Sequence, residues 1–256
     1  MPTFKRDSVS IYYEEEGSGQ PLLIIPGGGL SSTIAGVKRR PDFNPIEELK
    51  SDYRCIVADL RNAPAGQSRG PLEIDRPWDA FTDDHLALMD HLQIDRFLTI
   101  GFCIGAPLIW NLIKRAPHRV VAAVFANPSG VRIEQPELPY LRGINVWATE
   151  LLPQRPDISR EMIEAYLSNI YPKGGDFVWT VDRAFVRKCE TPILILPDDI
   201  PEHPYAVALE TAMIAPNSQM SMYPWHEPKE RVPLAVRHIR TFLRAHRLDD
   251  EEGRIL

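Results

Sequence analysis

Cysteine is scarce in this chain. Cys55, Cys103 and Cys189 are the only three in 256 residues, too few and too far apart for a disulfide scaffold or a Cys-rich zinc site. Long apolar runs are missing as well: none approaches the ~18–20 residues that a membrane-spanning helix needs. Positive charge is not in excess, since Lys+Arg 29 against Asp+Glu 35 leaves a net charge of −6. Such a chain has no bulk attraction for phosphate backbones or anionic lipid, so neither nucleic acid nor a membrane is an expected partner. The segment Met1–Asp7 carries no apolar core of the kind a secretory leader has, and with so little cysteine the expected compartment is a reducing cytoplasm. No internal repeat or low-complexity tract is present. The glycines do not form a Gly-x-Gly-x-x-Gly spacing, nor does Gly-Lys-Ser/Thr follow them, so no nucleotide cofactor is expected. No helical His-x-x-x-His pair or facial triad is legible, and no metal is expected.

The composition is that of a folded domain: 44% apolar and 25% charged residues argue against disorder over most of the chain. The 24 prolines predict long, stiff loops. Five short apolar runs stand out, at Leu22–Ile25, Cys55–Ala58, Phe97–Ile100, Val120–Ala126 and Ile193–Leu196. Near-continuous apolar strands suit a parallel sheet covered by helices on both faces. Ser8–Glu15 alternates instead and reads as an edge strand, and Ser218–Tyr223 alternates weakly. Helical periodicity appears at Trp78–Leu92, Ile104–Arg115, Pro204–Ala215 and Lys229–Arg247. Strands alternating with helices predict an α/β fold with a mostly parallel central sheet.

Residues 130–188 break this rhythm. Nearly sixty residues without a buried strand are too many for an ordinary loop, since structureless loops beyond ~12–15 residues are uncommon in compact domains. Helices are expected near Leu141–Leu152, Ser159–Ile170 and Phe177–Val186. An insertion at the C-terminal edge of a parallel sheet lies over the crevice where ligands bind, so it reads as a lid. The expected organisation is a core formed by 1–129 and 189–248, a helical lid at 130–188, and a flexible acidic tail at 249–256.

The sharpest local feature is Gly101-Phe-Cys-Ile-Gly105, which follows an apolar strand and opens a helix. A side chain at the apex of a strand-to-helix turn projects from the top of the sheet. The turn crowds its neighbours two residues away on each side, and glycine relieves that crowding. A thiolate is the nucleophilic form of cysteine and is stabilised at a helix N-terminus. Cys103 is therefore the candidate nucleophile, whereas Cys55, mid-strand, and Cys189 read as small buried hydrophobes.

With these residues the chain resembles the α/β-hydrolase superfamily, over nearly its whole length. Gly101–Gly105 matches the superfamily's nucleophile elbow. Pro26–Gly29 is similar to its oxyanion loop, and Asp59–Ser68 to its Asp-x-Arg-Gly-x-Gly-x-Ser turn, from which Asn62 and Ala65 depart. The usual serine is Cys103 here, a variant that dienelactone hydrolases share. The resemblance implies a Cys-His-Asp triad, with His226 in Tyr223–Pro228 as general base and His203 as its rival. The order nucleophile, acid, histidine fits. The acid follows Leu196. Asp199 is preferred over Asp198 because Pro204 lies five residues beyond it, close to the family's spacing. The backbone N–H groups of Gly28, helped by Gly29, and of Ile104 are the expected oxyanion donors. The implied activity is hydrolysis of a small ester, lactone or thioester through a thioester acyl-enzyme. Acyl transfer to another acceptor and non-catalytic ligand binding stay open. The expected partner is a small acyl substrate, and a homodimer is left open.

Overall fold

A computed structural model describes residues 2–248, so the tail expected at 249–256 lies outside the described residues. Eight strands form one sheet: β1 (Thr3–Arg6), β2 (Val9–Glu16), β3 (Gln20–Ile25), β4 (Tyr53–Ala58), β5 (Phe97–Phe102), β6 (Val120–Ala126), β7 (Ile193–Leu196) and β8 (Ser218–Met220). Their order is β1-β2-β4-β3-β5-β6-β7-β8. The pairs β1–β2 and β2–β4 are antiparallel, and every other pair is parallel. The architecture is the expected α/β one.

The apolar runs become strands because both their faces are covered. In β3, Leu22 and Ile24 join Cys55, Val57, Leu98, Ile100, Val124 and Leu194 on one face. Leu23 and Ile25 join Ile56, Phe97, Ala123, Phe125 and Ile195 on the other. This is the period of two that a strand imposes. Each fully buried Leu or Ile contributes about 1.5–3 kcal/mol relative to exposure. Ser8–Glu15 is not an edge strand. Its first half pairs with β1, Arg6 opposite Val9, and its second half pairs with β4, Tyr13 opposite Ala58.

Two short helices follow β3: α1 (Ile34–Lys38), capped by the Thr33 hydroxyl, and α2 (Pro45–Leu49), capped by the Asn44 side chain. Five residues each is too short for a legible helical period. Next come α3 (Pro77–His91) and α4 (Gly105–Arg115). Leu88 and Met89 of α3 and Leu108, Ile109 and Leu112 of α4 bury against one sheet face. Ile34 and Val37 of α1 and Ile46 and Leu49 of α2 bury against the other.

The insertion begins with α5 (Leu138–Arg142), which runs through a π-helical turn at Gly143–Ala148 into α6 (Thr149–Leu151). A Cβ at Gly143 would stand 2.6 Å from Leu167 Cδ2, so glycine permits the close approach of this helix to α7 (Arg160–Ile170). Ser159 caps α7 by accepting from the Met162 N–H. The helix expected over Phe177–Val186 is reduced to α8 (Arg183–Val186). Asp182 is extended and accepts from the Phe185 N–H at 2.7 Å, which makes it the N-cap. Phe177 is drawn away, its carbonyl accepting from Val131 N–H at 2.7 Å. Helices α9 (Tyr205–Ile214) and α10 (Val232–Ala245) complete the chain, and Ile239, Phe242 and Leu243 of α10 close the second sheet face.

The insertion is fastened to the core at several points. The Trp78 indole N–H donates to Ile170 O at 3.0 Å and the Trp147 indole N–H to Asn62 O at 3.1 Å. Thr180 donates to Pro107 O at 2.9 Å, and the Trp78 ring stacks on Trp179. Asn62, a departure from the superfamily's glycine, keeps a positive φ of 62°. Asparagine tolerates that region better than other residues bearing a Cβ. Its side-chain oxygen accepts from Arg155 Nη1 at 2.8 Å and from Gly70 N–H at 3.3 Å. The departure thus supplies an anchor for the insertion. Among the described residues, no helix is long and apolar enough to cross a membrane.

Candidate active site

The turn between β5 and α4 places Cys103 at its apex with φ 54°. A side chain rarely holds such a backbone, and it persists where the surroundings enforce it. Here the Cys103 N–H donates to Ala126 O at 3.0 Å, and its carbonyl accepts from Ser129 N–H at 3.2 Å. The flanking glycines are a steric necessity. A Cβ on Gly101 would lie 2.6 Å from the Gly105 carbonyl carbon and 2.7 Å from Ile109 Cδ1, and one on Gly105 would lie 3.0 Å from Ile25 O. A Cβ on Gly27 would lie 3.2 Å from Cys103 Cβ, a less severe but still close approach that brings the loop after β3 against the elbow.

The half-buried Cys103 sulfur lies 3.1 Å from the Ser129 hydroxyl. It also meets the His203 imidazole and the Gly28 N–H. His203 Nδ1 is 2.9 Å from Asp198 Oδ2, which leaves Nε2 for the thiol. Burial pushes the Cys103 thiol up, but the His203 imidazolium, the Ser129 hydroxyl and the Gly28 N–H outweigh it and lower the thiol to about 6. Burial opposes charge on His203 too, yet Asp198 and the Cys103 thiolate raise the ring to about 9. Burial would also raise Asp198, and the two imidazoles and the Asp199 N–H hold it below the ordinary carboxylate range. Near neutrality the pair is therefore a thiolate and an imidazolium.

Two expected residues stand elsewhere. Asp199 turns outward, where its carboxylate accepts from Arg132 Nη2 at 2.8 Å. The carboxylate beside the imidazoles is that of Asp198. His226 Nε2 is 3.3 Å from Asp198 Oδ1, on the second oxygen of the same carboxylate, and the ring that meets the thiol is His203. The reason is local. The His203 N–H donates to Ile200 O at 2.9 Å, closing a tight turn that folds His203 back over Asp198. The loop after β8 then reaches only the far oxygen, with His226 edge-on to the fully buried Trp225.

Gly28, with a φ of 122°, has its N–H among the groups that lower the thiol, and Ile104 stands at the N-cap of α4. Both line a cavity of about 540 Å³, together with Cys103, Ser129 and His203. The insertion contributes Leu138, Val146, Trp147, Tyr171 and Trp179 to its wall. Sequence reasoning missed Ser129. The signal was the end of β6: Phe102 pairs with Ala126, so the residues just past 126 lie beside the elbow. Cys55 and Cys189 are buried, and burial pushes the Cys55 thiol up to about 12. Among the described residues, no group of three or more His, Cys, Asp or Glu is placed to hold a metal ion.

The chain is similar to a protein of Synechocystis sp. named "Putative non-heme chloroperoxidase", 29% identical over 122 residues. That match covers 47% of this chain and 41% of the relative, so the chain spans less than half the length of the curated protein it matches. In structure it is similar to the meta-cleavage product hydrolase CumD of Pseudomonas fluorescens IP01, with a TM-score of 0.69 and 18% identity over 96% of this chain and 98% of that one. The enol-lactonase of Burkholderia xenovorans LB400 superposes with a TM-score of 0.67 and 17% identity, covering 94% and 99%. A family profile described as alpha/beta hydrolase fold matches residues 20–165, more than half of the chain. With the parallel sheet and the glycine-flanked elbow, that match makes this chain a member of the α/β-hydrolase fold family.

Proposed function

We propose that this protein hydrolyses a small ester, lactone or thioester through a Cys103–His203–Asp198 triad. The observation that carries the reading is the thiol at a positive-φ apex, facing a cavity, with His203 and Asp198 in line behind it. The Cys103 thiolate attacks the acyl carbonyl carbon. The oxygen takes the carbonyl electron pair and is held by the N–H groups of Gly28 and Ile104. His203, already an imidazolium, gives its proton to the leaving oxygen or sulfur, and a thioester remains on Cys103. The neutral ring then takes a proton from water, which attacks the thioester. Collapse expels the thiolate, releases the acid and restores the ion pair. Asp198 keeps the ring oriented with Nδ1–H toward itself. The fold likeness to an enol-lactonase and a meta-cleavage product hydrolase supports the reaction class and leaves the substrate open.

The test is a panel of short-chain esters, lactones and thioesters with intact-protein mass spectrometry. Cys103→Ala is expected to abolish both turnover and the acyl adduct. Full activity in Cys103→Ala overturns the mechanism. A wild-type protein that binds panel members but shows no adduct and no product is a ligand-binding protein instead.

A further inference from the structure

The Ser129 hydroxyl, 3.1 Å from the Cys103 sulfur, is held in place from both sides. Before it, Asn127 turns the chain off β6 at a φ of 51°, its N–H donating to Leu196 O at 2.9 Å. After it, a Cβ on Gly130 would lie 2.7 Å from Val207 Cγ1, and the Val131 N–H donates to Phe177 O at 2.7 Å. Ser129 is buried and gives its own N–H to the Cys103 carbonyl. Among the described residues, the sulfur is the one hydrogen-bond partner of this hydroxyl. A thiolate has no proton to give, so the hydroxyl donates to it. Hydrogen bonds to an ionised partner are roughly twice as strong as neutral ones. The bond is therefore strong while the sulfur is a free thiolate and weak once the sulfur carries an acyl group, because a thioester sulfur is a poor acceptor. An interaction made with the departing anion and not with the thioester favours departure.

We propose that Ser129 is a positioning residue whose hydroxyl holds the Cys103 thiolate as it leaves the acyl group. This rests on Cys103 being the reacting thiol. Water adds its oxygen to the thioester carbonyl carbon and gives a proton to the neutral His203 ring. The carbon–sulfur bond then breaks, its electron pair stays on sulfur, and the carboxylic acid departs. The Ser129 proton remains on its own oxygen throughout. Two other side chains bear on the charge of this sulfur: His203 with Asp198 behind it, and Tyr171 at the end of α7. Arg40, Arg142 and Glu202 line the same cavity. Substitution at Ser129 leaves all of these in place.

The experiment compares the wild-type protein with Ser129→Ala, which loses the hydroxyl, and Ser129→Thr, which keeps it. Cys103 is loaded with an acetyl group from p-nitrophenyl acetate, and decay of the adduct is timed by intact mass. Alkylation of Cys103 by iodoacetamide is followed against pH in parallel, with Cys103→Ala as the blank for both. In Ser129→Ala the adduct is expected to last about tenfold longer, and the alkylation profile to climb about one pH unit higher. Ser129→Thr is expected to restore both. Decay unchanged in Ser129→Ala overturns the proposal, and so does an unmoved profile. Ser129→Thr behaving as Ser129→Ala assigns the effect to packing and overturns it too. Should Ser129→Ala fail to fold, Ser129→Gly takes its place with the same expectations. Those results leave the thioester reading standing, whereas no acetyl adduct on wild-type Cys103 removes that reading, and the proposal with it.

Discussion

A single carboxylate facing two imidazoles sets the sharpest question at the scale of the residue. Asp198 offers Oδ2 to His203 and Oδ1 to His226, but the thiol meets His203. His203→Ala is expected to lower kcat by about 10²–10⁴, the range of a positioned general acid–base. His226→Ala removes one hydrogen bond to a carboxylate that keeps its other partners, and is expected to cost at most about tenfold. Equal losses in the two variants would refute this division of labour. The pH dependence of Cys103 alkylation gives a second measure. The thiol of the wild-type protein is lowered to about 6, so its rate should climb as pH rises through that value and level off above it. In His203→Ala the imidazolium is gone while burial remains, and the climb should move to or above the ordinary thiol range near ~8.5. An unshifted profile would show that His203 does not hold the thiolate. The placing of Cys103 at the apex of the turn was legible in sequence because the glycine-flanked turn is local. Which imidazole meets the thiol was not, since that depends on a turn closed by one hydrogen bond across residues 200–203.

Elements matter here mainly through their ends. The elbow works because β5 stops at Phe102 and α4 starts at Gly105, with no room for a Cβ at Gly101. Gly101→Ala drives a methyl into the Gly105 carbonyl and is expected to destabilise by about 1–3 kcal/mol, or more, as overpacking of a rigid site does. A urea midpoint unchanged by Gly101→Ala would refute the steric argument. The parallel strands were legible because burial on both faces writes itself as a continuous apolar run. The divided pairing of β2 was not, because alternation reports one solvent-facing side and carries no information on how many neighbours the strand has. The missing first half of the helix over Phe177–Val186 follows the same logic. Its apolar residues bury in an irregular, bent stretch as well as they would on a helix, and the Asp182 cap decides where winding begins.

At the scale of the described molecule, residues 130–188 stand between β6 and β7 and are tied to the core. Asn62 couples the two through its side-chain bonds to Arg155 and Gly70 and its backbone bond to Trp147. Asn62→Gly keeps the positive φ but removes the side-chain bonds, each contributing about 0.5–1.5 kcal/mol. The variant is expected to melt earlier and to be cut faster by protease within residues 130–188. Unchanged cleavage there would mean that the segment is held by its other contacts to the core, such as Trp78 to Ile170 and Thr180 to Pro107. The same insertion carries Trp147, Tyr171 and Trp179 into the cavity wall, so its loosening should also raise KM more than it lowers kcat.

Burial periodicity and glycine spacing are properties of neighbouring residues, so the amino-acid sequence alone determined the parallel α/β sheet, the interrupting segment after β6 and the placing of a thiol between two glycines at a strand-to-helix turn. What only the tertiary structure decided were relations between distant segments: which aspartate and which histidine stand behind Cys103, that Ser129 touches its sulfur, and that Arg40 joins the wall around it. These depend on where separate loops end in space. Loop ends are placed by single hydrogen bonds and steric contacts that leave no periodic trace in the chain.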